Sequence, residues 1–184
     1  SFATTSALEV AGAQAMERAA RSLLDRQHPD GYWWGNLTAD TTLEADYLLL
    51  ELWMHPPVNG VWTPPNPERM RRAVRSILDR QMADGGFSIY PHGPSEVNAC
   101  VKSYFALKLA GVDAADARMA KLRERILSLG GIQATNSDVK INLSLFNLFP
   151  QEHAPIVPIE IMLMRDVIYE MSSWSRAIVI PLAI

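Results

Sequence analysis

Only one cysteine, Cys100, occurs in the 184 residues. No intramolecular disulfide can form, which excludes a disulfide-stapled scaffold and points to a reducing compartment. Nothing beside Cys100 would activate a thiolate, so a small buried apolar residue is expected there. Basic charge is also scarce. The 17 Lys and Arg are outnumbered by 20 Asp and Glu, a net charge of −3. The chain as a whole therefore shows no electrostatic footprint for nucleic acid or anionic lipid, and no nucleic-acid partner is expected. No apolar run reaches the roughly 18 residues of a spanning helix. The N-terminus has no basic n-region or apolar h-region, so no signal peptide is expected. Alternating strand patterns, a Gly-rich phosphate loop and a nucleophile elbow are missing as well. His28, His55, His92 and His153 are scattered beside prolines, as solvated loop histidines are, and compose no metal site.

What is present is core material. Apolar residues make up 48% and charged residues 20%, which fits a globular chain and not a disordered one. The length suits one domain. Met70, Ala73, Val74, Ile77 and Leu78 share one face of an amphipathic helix, and Asn66-Pro67 supplies a cap and a proline at the first helical position. Asp113 and Asp116 open another helix that Gly130-Gly131 closes. The segments Leu43 to Met54, Ala99 to Leu109 and Val139 to Phe149 are apolar on most sides, so they are expected to be inner helices. The prolines cluster between these segments. The apolar run Ala177 to Ile184 predicts that the natural chain continues or that a partner covers this end. Continuation is the reading taken.

The chain repeats itself. Met16 to Gly31 aligns with Met70 to Gly85 at an offset of 54, and eleven of sixteen positions are identical. Each copy is a helix, a Gln, a Gly-aromatic turn and then a more apolar helix. Units of this size bury their faces only against neighbours. The expected class is therefore all-α, with helix pairs in an outer amphipathic and an inner apolar layer.

The first copy reads Leu23-x3-Gln27-x3-Gly31-x-Trp33, and the second Ile77-x3-Gln81-x3-Gly85-x-Phe87. Both resemble the QW motif of triterpene cyclases. The segments Gly31 to Gly35, Thr42 to Tyr47, Tyr104 to Gly111, Pro158 to Met162 and Ser172 to Ala177 follow in the same order, so the chain from about Ala13 onward resembles the N-terminal part of a squalene–hopene cyclase. The physics of the motif is structural. The Gln amide both donates and accepts at a helix end, the glycine permits the tight turn, and the aromatic packs nearby.

The resemblance implies an incomplete α/α barrel, with residues 1–184 as one helical domain of a two-barrel enzyme and a short tail at about 1–8. It implies acid-initiated polycyclisation of squalene to hopene or hopanol in hopanoid biosynthesis, with no metal or organic cofactor. The expected partners are squalene or a related polyprenyl, the rest of the cyclase chain and a membrane surface. A monotopic attachment on the cytoplasmic side is implied, and a homodimer is allowed. The family's acid is an Asp-x-Asp-Asp motif, and these 184 residues contain none. No catalytic residue is therefore assigned, and the chain alone is expected to be inactive. By resemblance, Trp174 and Leu37 line the substrate cavity, and Asp46 is one carboxylate of the proton-exit end.

Several positions depart from the family pattern. Lys102 stands where a second carboxylate is expected, and a Lys⁺ there opposes cation accumulation. Asn136, Asp138 and Asn142 replace basic and aromatic residues, and Gln151 replaces a Trp. The stretch from Met162 to Tyr169 is a few residues short. Two alternatives stay open: a stand-alone helical repeat module that binds a protein or an isoprenoid, and a cyclase relative acting on another polyprenyl substrate.

Overall fold

The computed structural model describes residues 2–35, 38–154, 156 and 158–183. The regular secondary structure among these residues is helical, apart from one isolated antiparallel bridge between Val58 and Val61. The chain divides into two compact units, residues 1–38 and 39–184. Sequence had suggested one helical domain with a tail at about 1–8; from Phe2 onward that tail is part of a helix.

The first unit carries α1 (Phe2–Leu24) and the first Gln-Gly-aromatic turn. Met16, Leu23 and Leu24 on α1 are exposed.

In the second unit, α2 (Thr41–Met54) and α4 (Val97–Leu109) are the inner helices, and α3 (Pro67–Asp79) and α5 (Ala117–Ser128) the outer ones. Helix α4 packs against α2 and α5, and α2 packs against α3. The burial follows from composition. On α4, Ala99 to Ser103, Ala106 and Leu107 are all buried, so it is covered on most sides. On α3 only Met70, Ala73 and Ile77 are buried, one stripe of an arginine-rich helix. Leu48, Ile77, Phe87, Leu107, Met119 and Leu122 join one core. Cys100 is fully buried within it, as expected of a small apolar residue.

Capping side chains start the helices where sequence placed them. Asn66 Oδ1 accepts from Arg69 N at 3.0 Å, and Asp116 Oδ1 accepts from Arg118 N at 2.8 Å. Asp113 does not open α5; it accepts from Ala115 N in the preceding turn, at 2.9 Å. Gly130, at φ 99°, follows the end of α5. The third inner helix, α6 (Ser137–Leu145), stops short of Phe149, because Asn147 turns to φ 56°. Two 3-10 turns, Gln151–His153 and Ile159–Leu163, precede α7 (Arg165–Glu170) and α8 (Ser173–Leu182).

Candidate functional site: a lysine between two carboxylates

Asp46 lies midway along α2, Lys102 midway along α4 and Asp138 in the first turn of α6. The fold brings all three together. Lys102 Nζ stands 3.0 Å from Asp46 Oδ1 and 2.9 Å from Asp138 Oδ2. The lysine side chain is 8% exposed, whereas Asp46 and Asp138 are 44% and 57% exposed. The ammonium is thus the buried member, and both carboxylates keep water on one side.

Burial alone would lower the lysine pKa. The hydrogen bond to Asp138 and the charges of both aspartates outweigh it, so Lys102 is held above its ordinary value and stays charged. Burial raises the Asp46 carboxyl above the usual range, and the opposing pull of Lys102 does not cancel it. Asp46 is therefore a more basic carboxylate than a free one, and it still reaches solvent.

Lys102 contributes one positive charge and Asp46 and Asp138 one negative charge each, so the cluster carries a net −1. Asn136 also has a local task. Its Oδ1 caps α6 by accepting from Val139 N at 3.0 Å, and its N–H donates to Asn98 Oδ1 on α4 at 2.7 Å. Sequence reading recorded Lys102 and Asp138 separately and missed that they are partners. Their opposite charges were the available signal.

The two Gln-Gly-aromatic turns have the same backbone. Gly31 and Gly85 have φ of 88° and 87°. His28 N donates to Tyr32 O at 2.8 Å, and its counterpart Met82 N donates to Gly86 O at 3.0 Å. Gln27 Nε2 donates to Gly31 O at 2.7 Å, and Gln81 Nε2 to Gly85 O at 2.8 Å. The copies differ in how they reach helix ends. Trp33 Nε1 donates to Leu23 O in the last turn of α1, at 2.7 Å. Phe87 has no such donor and is buried instead. In that copy Gln81 reaches across to Arg118 O at the start of α5, at 2.9 Å. Gln81 thus ties the turn after α3 to the start of α5, whereas among the described residues Gln27 closes its own turn.

A carboxylate that sequence reading did not single out braces the second turn. Asp84 accepts from Gly86 N at 3.0 Å and from Ser95 Oγ at 2.8 Å, and it pairs with Arg125 at 3.0 Å. Burial opposes ionisation of Asp84, but these donors win and hold its pKa below the usual range. Asp116 is held low mainly by the Arg118 backbone N–H. Both groups therefore contribute stability above the ordinary aspartate value of about 3.9, and lose it as pH falls through their lower native values. Stability is expected to drop below about pH 4. Asp84→Asn should flatten that drop in denaturant melts between pH 5 and pH 3.

Trp174 sits in the first turn of α8 and is 76% exposed. It is not brought to the Asp46 cluster by any recorded contact among the described residues. Asn142 is half-buried on α6. Leu37 lies outside the described residues. Among the described residues no group of His, Cys, Asp and Glu could hold a metal.

The family profile described as the squalene-hopene cyclase N-terminal domain matches residues 16–184. The chain is 35% identical over 176 residues to the squalene–hopene cyclase of Alicyclobacillus acidocaldarius, covering 94% of this chain and 27% of that protein. It is 36% identical over 174 residues to the Zymomonas mobilis squalene–hopene cyclase, covering 92% of this chain and 25% of that protein. A dammaradiene synthase of Dryopteris crassirhizoma is 27% identical over 175 residues, covering 93% of this chain and 24% of that protein. The chain spans about a quarter of the length of the curated relatives it matches.

Proposed function

Since the chain belongs to the squalene–hopene cyclase N-terminal domain family, we propose that it builds part of the wall of a cyclase that folds squalene or a related polyprenyl. The reaction is acid-initiated polycyclisation. An alkene is a very weak base, so the first step needs a strong, positioned carboxylic acid. The 184 residues hold no Asp-x-Asp-Asp, so the acid comes from the rest of the cyclase, which is this chain's main partner. The growing cation needs a dry, aromatic-lined cavity. Trp174 and Leu37 are proposed as cavity-wall residues of the assembled enzyme.

Termination needs a group that accepts a proton. Asp46 is the candidate, because its raised basicity and partial exposure suit a carboxylate that receives a proton and passes it to water. Gln27, Gly31 and Trp33, with Gln81, Gly85 and Phe87, are structural. No metal or organic cofactor is needed for this chemistry. The substrate is a lipid, so the enzyme is proposed to sit on the cytoplasmic face of a membrane without crossing it. No helix among the described residues is long and apolar enough to cross one.

The family match from residue 16 to 184 carries this reading. Incubating the 184-residue chain alone with squalene should give no hopene or hopanol by gas chromatography. Turnover would place the acid within these residues and contradict the assignment. A second reading, cyclisation to a different product, is favoured by Lys102. Its ammonium at a proton-exit carboxylate changes how the final cation loses its proton, and the product spectrum of the assembled enzyme distinguishes the two.

A further inference from the structure

A groove of about 560 Å³ runs along α3, between it and the segment from Ala110 to Arg118 that leads from α4 into α5, within the range of small-ligand sites. Its apolar wall is made by Trp62, Met70, Val74, Leu78 and Val112. Its rim carries Arg71, Arg75 and Arg118 against Asp79, and Arg118 also pairs with Asp116 at 3.5 Å. Net charge at the groove is therefore positive, although the chain as a whole is negative.

The arginines around α3 differ in a telling way. Arg69 lies over the Tyr47 ring, Arg72 pairs with Glu68, and Arg80 pairs with Glu44. Arg71 and Arg75, one turn apart, have no ion pair or side-chain hydrogen bond among the described residues, and both line the groove. Asp79 stands one turn beyond Arg75 and is not paired with it. Two guanidinium groups, unpaired among the described residues and set above an apolar trough, match a molecule with an anionic head and a hydrocarbon tail.

We propose that this groove binds one anionic phospholipid taken from a bilayer. The phosphate sits between Arg71 and Arg75, and the first part of an acyl chain lies along Met70, Val74 and Leu78.

Flotation of the intact chain with vesicles tests it. Vesicles of phosphatidylcholine are compared with equimolar phosphatidylcholine and phosphatidylglycerol. The anionic vesicles should be bound at least tenfold more tightly. The double variant Arg71→Gln with Arg75→Gln should weaken that binding about thirtyfold, since each basic residue at an anionic surface contributes about fivefold. A control with the same charge loss outside the groove, Arg72→Gln with Arg123→Gln, should weaken it by less than about threefold. Monomeric lysophosphatidylglycerol should compete, and glycerol 3-phosphate should not, because only the former fills the apolar trough. Equal losses in the two double variants, no preference for anionic vesicles, or competition by glycerol 3-phosphate alone would each overturn the proposal.

Discussion

Gly85→Ala is expected to destabilise the second unit by roughly 3 kcal/mol, and Gly31→Ala to cost only about 1–2 kcal/mol. The two glycines occupy the same place in the two copies of the repeat and have nearly equal φ, 87° and 88°. An alanine at either position meets the same left-handed backbone penalty. They differ in what a Cβ would touch. At Gly31 nothing lies within 4 Å. At Gly85 the added atom falls 2.6 Å from Lys121 Cγ and 2.9 Å from Lys121 O. The lysine side chain can swing aside, but its carbonyl belongs to α5 and cannot move without shifting the helix. The difference between the two variants therefore isolates packing from conformational preference. Urea unfolding followed by far-ultraviolet circular dichroism reads it. Equal losses would mean that α5 does not press on this turn as described.

Lys102→Met is expected to cost about 1–3 kcal/mol at pH 7. Removing one partner from a buried ion pair can cost 3–5 kcal/mol. Here the two carboxylates left behind are each about half-exposed, so water recovers part of that loss. Asp138→Asn should cost less, because Lys102 keeps Asp46. The pH dependence separates charge from packing. Lys102 has its pKa raised in the folded state, so its stabilisation is present below the ordinary lysine value of about 10.4 and is lost as pH rises through the higher native value. The gap between the original protein and Lys102→Met should narrow above about pH 10. It should also narrow on acidification, when protonation of Asp46, already raised by burial, relieves the repulsion between the two aspartates. A gap that stays constant across both ranges would reduce Lys102 to a packing residue.

Much of the fold was legible because it is written in short-range patterns. Asn66-Pro67 marked the start of α3, and the stripe of Met70, Ala73 and Ile77 marked its buried face. The inner character of α4 followed from a run of residues without a polar side. The repeat offset predicted two turns of one shape, and their backbone hydrogen bonds agree. The burial of those turns was not legible. Met16 and Leu23 match Met70 and Ile77 in sequence, yet the first pair is exposed and the second buried. Periodicity identifies an apolar face without identifying what covers it. The end of α6 was missed because Asn147 reverses the backbone inside a segment that still looks apolar.

At the site, resemblance singled out Asp46 as a candidate and Lys102 as a departure. It could not show that Asp138, 36 residues further on, supplies the balancing charge. That information lies in the packing of α2, α4 and α6. Asp84, Ser95 and Arg125 escaped notice for the same reason, since a carboxylate that braces a turn looks like any surface aspartate in one sequence.

The membership of this chain in a terpene-folding chamber is tested most directly by a chimera. Residues 16–184 replace the matching segment of the Alicyclobacillus acidocaldarius squalene–hopene cyclase, whose remaining sequence is kept. Circular dichroism first establishes that the chimera is folded, and its products from squalene are then separated by gas chromatography. A polycyclic triterpene, made by the folded chimera and by neither part alone, is the expected result. A folded chimera that leaves squalene entirely unchanged would contradict it.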